Sequence, residues 1–486
     1  MSLTYILYRD VAPLAEGDAS PFSIDATAFS DIDLLSHGTR PGKIATLEEG
    51  QWALTGDYKF LDGKPVAFWS QELSNDMCRF AQSPVIEITF DQQHTAPGIT
   101  IEFDPDGGNF VSYLNVRWYR AGELLADVDF QPDSAEFFCQ QAVEAFDRVI
   151  ITLFETNLPY RRAKINRITF GRNRRFGMET IRSASVIRQS DLLSAEIPIS
   201  TLDVGIDDHS DLGFMFQRKQ PVEAWNGSTR LGVFYITEHT RTAASLYTIN
   251  CQDAWAVLDE APFAGGVYNA ASAVDILRSI IEPDFALDVS GVVDVPLTGI
   301  ITPCTRREAA QQVLFASGWV SDTDSGSGIR VFALDTVLKV IGKNRVYSGA
   351  SSSVSALTTE VQVLAHTYTE SSQGNVEIAG KKYADTTTLF KVTNPTVTAN
   401  DKASIVEVTG ATLVSPDIGQ AVAQRVYDYH QLRQRDTLKV VWDGERVGDY
   451  VQVPTAWEKN HIGYIEKMTI KLSNTVAASL ETVGPA

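Results

Sequence analysis

The sequence predicts a mainly β, multidomain protein: a β-sandwich in the first third, then barrel-like antiparallel domains with a small α/β insert between them. Three observations predict it. Short runs of Val, Ile, Phe, Tyr and Thr alternate with polar residues along most of the chain, which is the two-residue period of half-buried strands. Turn dipeptides such as Asn226-Gly227 punctuate those runs, as hairpins require. Helical periodicity is confined to a few short segments. At 486 residues the chain exceeds a single core and divides into about three or four domains by usual domain size. The boundaries read as 1–171, 172–267, 268–342 and 343–486.

In the first region, Val85–Phe90, Gly98–Phe103, Tyr113–Tyr119, Leu124–Phe130 and Arg148–Phe154 have strand length and alternation. Together they imply a sandwich. One helix is expected at Ser134–Phe146, where Asp133-Ser134 offers a cap before Phe137, Phe138, Ala142 and Phe146. The basic GRNRRFG stretch at Gly171–Gly177 reads as a linker. Strand patterns resume at Met178–Asp191, Ser194–Asp207, Pro221–Gly227, Arg230–Thr240 and Ser245–Asp253.

Next, Ala270–Pro283 has Ser272 as N-cap with Asp275 three residues on, and Val274, Leu277, Ile280 and Ile281 at helical spacing before Pro283. Thr305–Ser317 repeats the logic: Thr305 and Glu308 form a capping box, and Gly318 closes the helix. A hairpin around Asp324-Ser325-Gly326 completes this α/β insert. The last region is strand-rich at Glu360–Glu370, Asn375–Tyr383, Thr437–Thr455 and His461–Leu472. One helix interrupts it, capped by Ser415 with Pro416 in its first turn and Ile418, Ala421, Val422, Val426 and Tyr429 at a period of 3.6.

Two regions resemble known families. The hairpin FQRKQPVEAWNGSTRLGVFYI from Phe216, followed by a strand and a short helix opening at Asp253, resembles the first barrel of baseplate hub and tail-tip proteins of tailed bacteriophages. ERVGDYVQVP followed by GYIEKMTIKL resembles the second barrel of those hubs, so the likeness spans roughly Arg172 to Gly484. GQWALTGD at Gly50, AFWSQELS at Ala67 and FDRVIITLFETNLPYRRAKINRITFG ending at Gly171 resemble a discoidin-type (coagulation factor 5/8 C-type) jelly-roll module. The hub resemblance implies a homotrimer in which two barrels per chain make a pseudo-sixfold ring. Such a ring would join the distal tail protein ring, tail tube and tape-measure protein above to tip or receptor-binding proteins below. The discoidin resemblance implies contact with a host-surface glycan. The expected location is the virion tail tip, assembled in the host cytoplasm.

Composition bounds the alternatives. Hydrophobic residues at 44% and charged residues at 21% are those of a globular protein, so disordered and fibrous classes are excluded. No apolar run approaches the roughly 18 residues of a membrane span, and the N-terminus lacks a basic secretory n-region. The formal net charge of −20 argues against sequence-specific nucleic-acid binding, which needs clustered cations to displace counterions. The acidity leans forward: residues 1–171 hold 13 basic and 25 acidic side chains. Cys78, Cys139, Cys251 and Cys304 lie far apart, which favours free thiols over zinc or a disulfide framework.

Catalytic motifs are not found. There is no HExxH, GxSxG, P-loop, dinucleotide-binding glycine motif or EF-hand loop. The histidines at 37, 94, 209, 239, 366, 430 and 461 are dispersed, as surface or satisfied core histidines would be. No enzyme activity and no cofactor are expected. The string Asp104-Pro105-Asp106-Gly107-Gly108-Asn109 offers hard oxygen ligands around a bend, but Asp, Pro, Gly and Asn are also what a tight connection selects; too few carboxylates are present for a full calcium shell, so no metal is assigned. Among Trp52, Phe68, Trp69, Trp118 and Tyr119, alternation sends Trp118 to the core. Trp69 in AFWSQELS could equally fill the core or stack on a sugar, and it is the one ligand-binding candidate. A different class of function stays open: a carbohydrate-binding adhesin, or an accessory module of a glycoside hydrolase. That class would bring a signal peptide and a paired-carboxylate barrel, and neither is seen.

Overall fold

Strands carry most of the chain, and they divide between two units, Leu7–Arg175 and Met1–Ile6 with Phe176–Ala486. The computed structural model describes all residues except 1–3, 12, 38–43, 47, 49, 52–53, 57, 59–65, 105–107, 210–215, 228, 283, 324–327, 335, 399–400, 456–458 and 473–475. The expectations placed on Trp52, Asp106, Pro283 and the Asp324-Ser325-Gly326 turn therefore lie outside the described residues. The chain is mainly β with several sheets, as the alternation predicts.

The smaller unit is a sandwich of two antiparallel sheets. One runs in the order Ser20–Phe22, Val85–Ala96, Val143–Thr156, Val111–Arg120, Glu123–Phe130; the other runs Phe68–Trp69, Lys164–Thr169, Ile99–Phe103, Glu136–Cys139. Alternation decides which side chains meet between them: in Val111–Arg120, Leu114, Val116 and Trp118 are buried while Asn115 and Arg117 are not fully covered. Each faces Ile, Val or Leu of Val143–Thr156 in register, Val116 opposite Ile151 and Trp118 opposite Val149. The resulting core includes Phe68, Phe103, Phe146, Ile151, Ile165 and Phe170.

The helix expected at Ser134–Phe146 does not form. Its residues make the strand Glu136–Cys139 and the start of Val143–Thr156. Ser134 Oγ donates to the Glu136 carbonyl at 2.9 Å, so the supposed cap builds a turn. Phe137 pairs with Ile101 and Cys139 with Ile99, and Ala145 sits at φ +57°, a left-handed value that no α-helix continues through. Partners distant in sequence outweigh a weak helical pattern. Gly171–Gly177 is likewise a strand and not a linker, with Gly171, Asn173 and Phe176 buried. The chain passes between the two units within this strand and within Thr4–Val11.

One 13-stranded sheet, all but its first two strands in the larger unit, follows the order Gly171–Gly177, Thr4–Val11, Pro221–Asn226, Thr229–Arg241, Leu246–Gln252, Thr201–Asp207, Ile181–Gln189, Asn460–Lys471, Ala477–Gly484, Gln434–Val441, Ser351–Val354, with Lys339–Val340 and Tyr450–Pro454 branching from Asn460–Lys471. The hairpin expected at Asn226-Gly227 forms, with Gly227 at φ +61° and Asn226 opposite Thr229. Two strand sets are fused by antiparallel pairing of Ile181–Gln189 with Asn460–Lys471, two strands more than 200 residues apart in sequence, from Ser185 opposite Lys471 to Gln189 opposite Lys467. The second set closes on itself through one segment. Lys339–Val340 pairs with Tyr450–Pro454, then Val346 bridges Val440 and Ser351–Val354 pairs with Gln434–Val441 on the opposite flank.

The helices of the insert form where their caps place them. Ser272 Oγ accepts from the Asp275 amide before Ala273–Ile281, and the Thr305/Glu308 box opens Arg306–Ser317, which ends on Gly318 in the left-handed conformation. Their apolar faces share one core with Val361, Val363 and Ala365 of the strand Glu360–Glu370 and with Val422, Ala423 and Val426 of the helix Pro416–His430. That helix lies against a four-stranded sheet ordered Val376–Ile378, Lys381–Thr393, Glu360–Glu370, Ile405–Val408. No helix among the described residues is long and apolar enough to cross a membrane.

Candidate functional site

Trp69 ends the strand Phe68–Trp69, which pairs with Lys164–Thr169 so that Trp69 stands opposite Lys164. This register brings a polar cluster to one end of the sandwich. The Lys164 ammonium lies 4.5 Å from the Trp69 ring centroid and 2.5 Å from Glu48 Oε2. Glu48 also accepts from the Arg162 amide at 2.8 Å, and the Arg162 guanidinium donates to the Ser70 and Gln71 carbonyls. Phe29 meets the Trp69 ring edge-on at 5.5 Å.

Trp69 is only 4% exposed. With Phe29 on its edge and Lys164 over its face, it has no open ring surface for a pyranose, and its indole N–H has no acceptor among the described residues. The structure places the one ligand-binding candidate inside the module. Cation–π contact and burial hold it there. Trp118 is also internal, as its alternation predicts.

Asn109, the last oxygen donor of the calcium-like string, is buried and already engaged. Its Nδ2 donates to Gln51 Oε1, and its Oδ1 accepts from Arg161 Nε at 3.1 Å. A guanidinium on the candidate ligand atom opposes a divalent cation there. Among the described residues no group of three or more His, Cys, Asp or Glu converges as a metal shell. All four cysteines are free, and burial pushes the Cys139 thiol up to about 12, leaving it unreactive at neutral pH.

What the spacing of residues could not show is the pairing of histidines with aspartates. His94 meets Asp18 at 2.7 Å in the smaller unit, and this contact is the main cause holding the Asp18 carboxyl below its ordinary range. In the larger unit His366 Nδ1 lies 2.9 Å from Asp385 Oδ2 and His461 Nδ1 2.5 Å from Asp436 Oδ2. A His–Asp pair becomes catalytic only when the second ring nitrogen faces a nucleophile. Here His366 Nε2 faces the Thr409 carbonyl at 3.1 Å and His461 Nε2 the Pro485 carbonyl at 3.0 Å. Both are braces between strands and loops.

Asp253 and Arg188 form a second hidden polar centre. Asp253 caps the helix Ala254–Asp259, accepting from the Trp255 amide at 3.1 Å, the Ser200 amide at 3.0 Å and the Thr323 hydroxyl at 3.1 Å. Burial raises its carboxyl to about 6 against these hydrogen bonds. Arg188 sits 3.5 Å from Asp322 and donates to the Leu231 carbonyl. A raised carboxyl marks a catalytic acid when it opens on a cleft, but Asp253 is 1% exposed and faces protein on every side described.

No protein-family model and no curated protein sequence matches the chain. Solved structures similar to it include a tail protein from Neisseria meningitidis MC58, at 12% identity over 64% of this chain and 93% of that one, with a TM-score of 0.47. They also include the 43 kDa tail protein of prophage MuSo2 from Shewanella oneidensis, at 13% identity over 64% and 96%, with a TM-score of 0.46. A family 32 CBM from NanJ of C. perfringens, solved in complex with galactose, is similar at 8% identity over 35% of this chain and 99% of that one, with a TM-score of 0.23.

Proposed function

We propose that this chain is a non-enzymatic structural subunit of a phage or phage-like tail tip, a baseplate hub that assembles as a homotrimer. The observation that carries the reading is the fusion of two strand sets into one sheet by the pairing of Ile181–Gln189 with Asn460–Lys471. It would make the two expected barrels of each chain mechanically continuous, because displacing one strand set against the other would break a run of ladder hydrogen bonds. Three copies then offer six such bodies to a sixfold tail tube and threefold symmetry to a tip. The sequence resemblance of the Phe216 hairpin and of the Glu445–Leu472 strands to hub barrels supports the same reading. Its partners are the distal tail ring, tube and tape-measure proteins on one side and tip or receptor-binding proteins on the other.

Host-glycan contact through the smaller unit is part of this proposal. Tyr160, 51% exposed at φ +58° in the loop between Val143–Thr156 and Lys164–Thr169, is an aromatic that could serve there in place of Trp69. Light scattering of the purified chain tests the assembly: a mass three times that of the 53.4 kDa chain is expected, in solution or after addition of tail-ring protein. A monomeric mass under both conditions, and in disassembled particles, overturns the hub reading.

A further inference from the structure

The segment between the strand Ile329–Phe332 and the edge strand Lys339–Val340 leaves three large apolar side chains in water: Val337 is 64% exposed, Leu338 41% and Val340 63%. Among the described residues Lys339–Val340 pairs only with Tyr450–Pro454, in parallel, and the Ile341 amide donates to the Gln452 carbonyl at 3.0 Å. Strand alternation therefore turns the Val340 amide and carbonyl outward. An exposed apolar edge is a template for another strand.

The two sides of this edge differ in chemistry. Val337 and Lys339 line a cleft of about 250 Å³ whose walls also carry Arg330, Phe332, Arg446 and Tyr450. The Arg330 guanidinium lies 4.8 Å from the Phe332 ring centroid, and Lys339 meets Asp449 at 2.7 Å. Asp449 lines the cleft too, and Asp288 stands beside Arg330 in strand register. Three cations at the mouth of one cleft stand out in a chain of net charge −20. Leu338 and Val340, by the two-residue period, face away from the cleft.

We infer that this edge accepts an extended segment of a partner protein, added as a strand, in which acidic and apolar side chains alternate. Its acidic side chains would meet Arg330, Lys339 and Arg446, and its apolar ones would cover Leu338 and Val340. Strand addition supplies affinity through main-chain hydrogen bonds and specificity through alternate side chains. The inference does not depend on the tail-tip reading.

The test is fluorescence anisotropy of a labelled ten-residue peptide of alternating Glu and Val against the full chain, with a Lys/Val peptide as control. The Glu/Val peptide should bind at least about tenfold more tightly than the control, and less tightly as salt is raised. Val340→Glu and Arg446→Glu should each weaken it by about tenfold or more, while Val340→Ile retains it. Arg446→Glu keeps the test decisive where Val340→Glu fails to fold. Equal binding of the two peptides, no binding of the Glu/Val peptide, or binding indifferent to both charge-introducing variants overturns the inference. Self-association of the chain that Val340→Glu abolishes, without peptide binding, also overturns it and assigns the edge to a second copy.

Discussion

Trp69 shows how little a side chain's identity says about its role until its neighbours are known. A tryptophan beside Ser70 and Gln71 could stack on a sugar or fill a core, and the choice falls to Phe29 and Lys164, distant in sequence. Trp69→Ala should cost about 3–5 kcal/mol of stability, read as a fall in the denaturation midpoint of the smaller unit. Trp69→Phe should cost less, because the lost indole N–H has no acceptor among the described residues. A Trp69→Ala chain that melts like wild type would return the residue to the surface.

Asp253 carries a pH dependence of definite sign. Its carboxyl titrates near 6 in the fold against an ordinary 3.8, so the folded chain holds the proton more tightly than the unfolded chain between those values. Stability from this group falls as pH rises from about 4 to about 6, and the deficit of about 3 kcal/mol persists above that window. Asp253→Asn removes the titration while leaving a constant loss of hydrogen bonding. The stability difference between variant and wild type should therefore move in the variant's favour between pH 4 and pH 7, in urea unfolding curves. An unchanged difference would show that burial does not govern this carboxyl.

At the scale of elements, caps that bond are informative: Ser272 and Thr305 open helices, whereas Ser415 makes no side-chain cap bond and the helix Pro416–His430 follows its 3.6 period. Thr305, Glu308 and Gly318 delimit the helix Arg306–Ser317 because their chemistry satisfies its terminal amides and permits its left-handed exit. At Ser134 a hydroxyl side chain caps no helix, since Phe137 and Cys139 find partners in Ile101 and Ile99. Gly318 sits at φ +78°, and a Cβ there would come within 2.5 Å of the Arg425 guanidinium, which is itself stacked near Phe315. Gly318→Ala should cost about 1–3 kcal/mol from backbone strain alone, measured by thermal unfolding; a neutral substitution would mean that the helix end relaxes freely.

At the scale of the whole molecule, the smaller unit has its own two sheets and its own core. A fragment covering 7–175 should fold alone, with a sigmoidal melt and dispersed amide resonances. A fragment from Phe176 onward lacks the strand Thr4–Val11, which stands next to Pro221–Asn226 in the sheet order. It should aggregate more than the full chain, because an edge that was paired is opened. A cooperative melt from the second fragment with no rise in light scattering would show that the first strand is dispensable.

The sequence by itself determined the strand content, the Asn226-Gly227 hairpin and three of the helices, because alternation, turn chemistry, helical period and, in two of the helices, side-chain caps act over a few residues. It also marked Trp118 as internal by parity within one strand. Only the tertiary structure decided what depends on partners far along the chain. The strands at 136–139 and 171–177, the pairing of 181–189 with 460–471, and the His366–Asp385 and His461–Asp436 contacts all join residues whose proximity no local pattern encodes. The same holds for the burial of Trp69 and for the basic cleft beside the bare edge at Val340. Local chemistry fixes which conformations a segment can adopt, while the free energy of burying apolar surface and satisfying hidden polar groups selects among them, and both terms are properties of the assembled core.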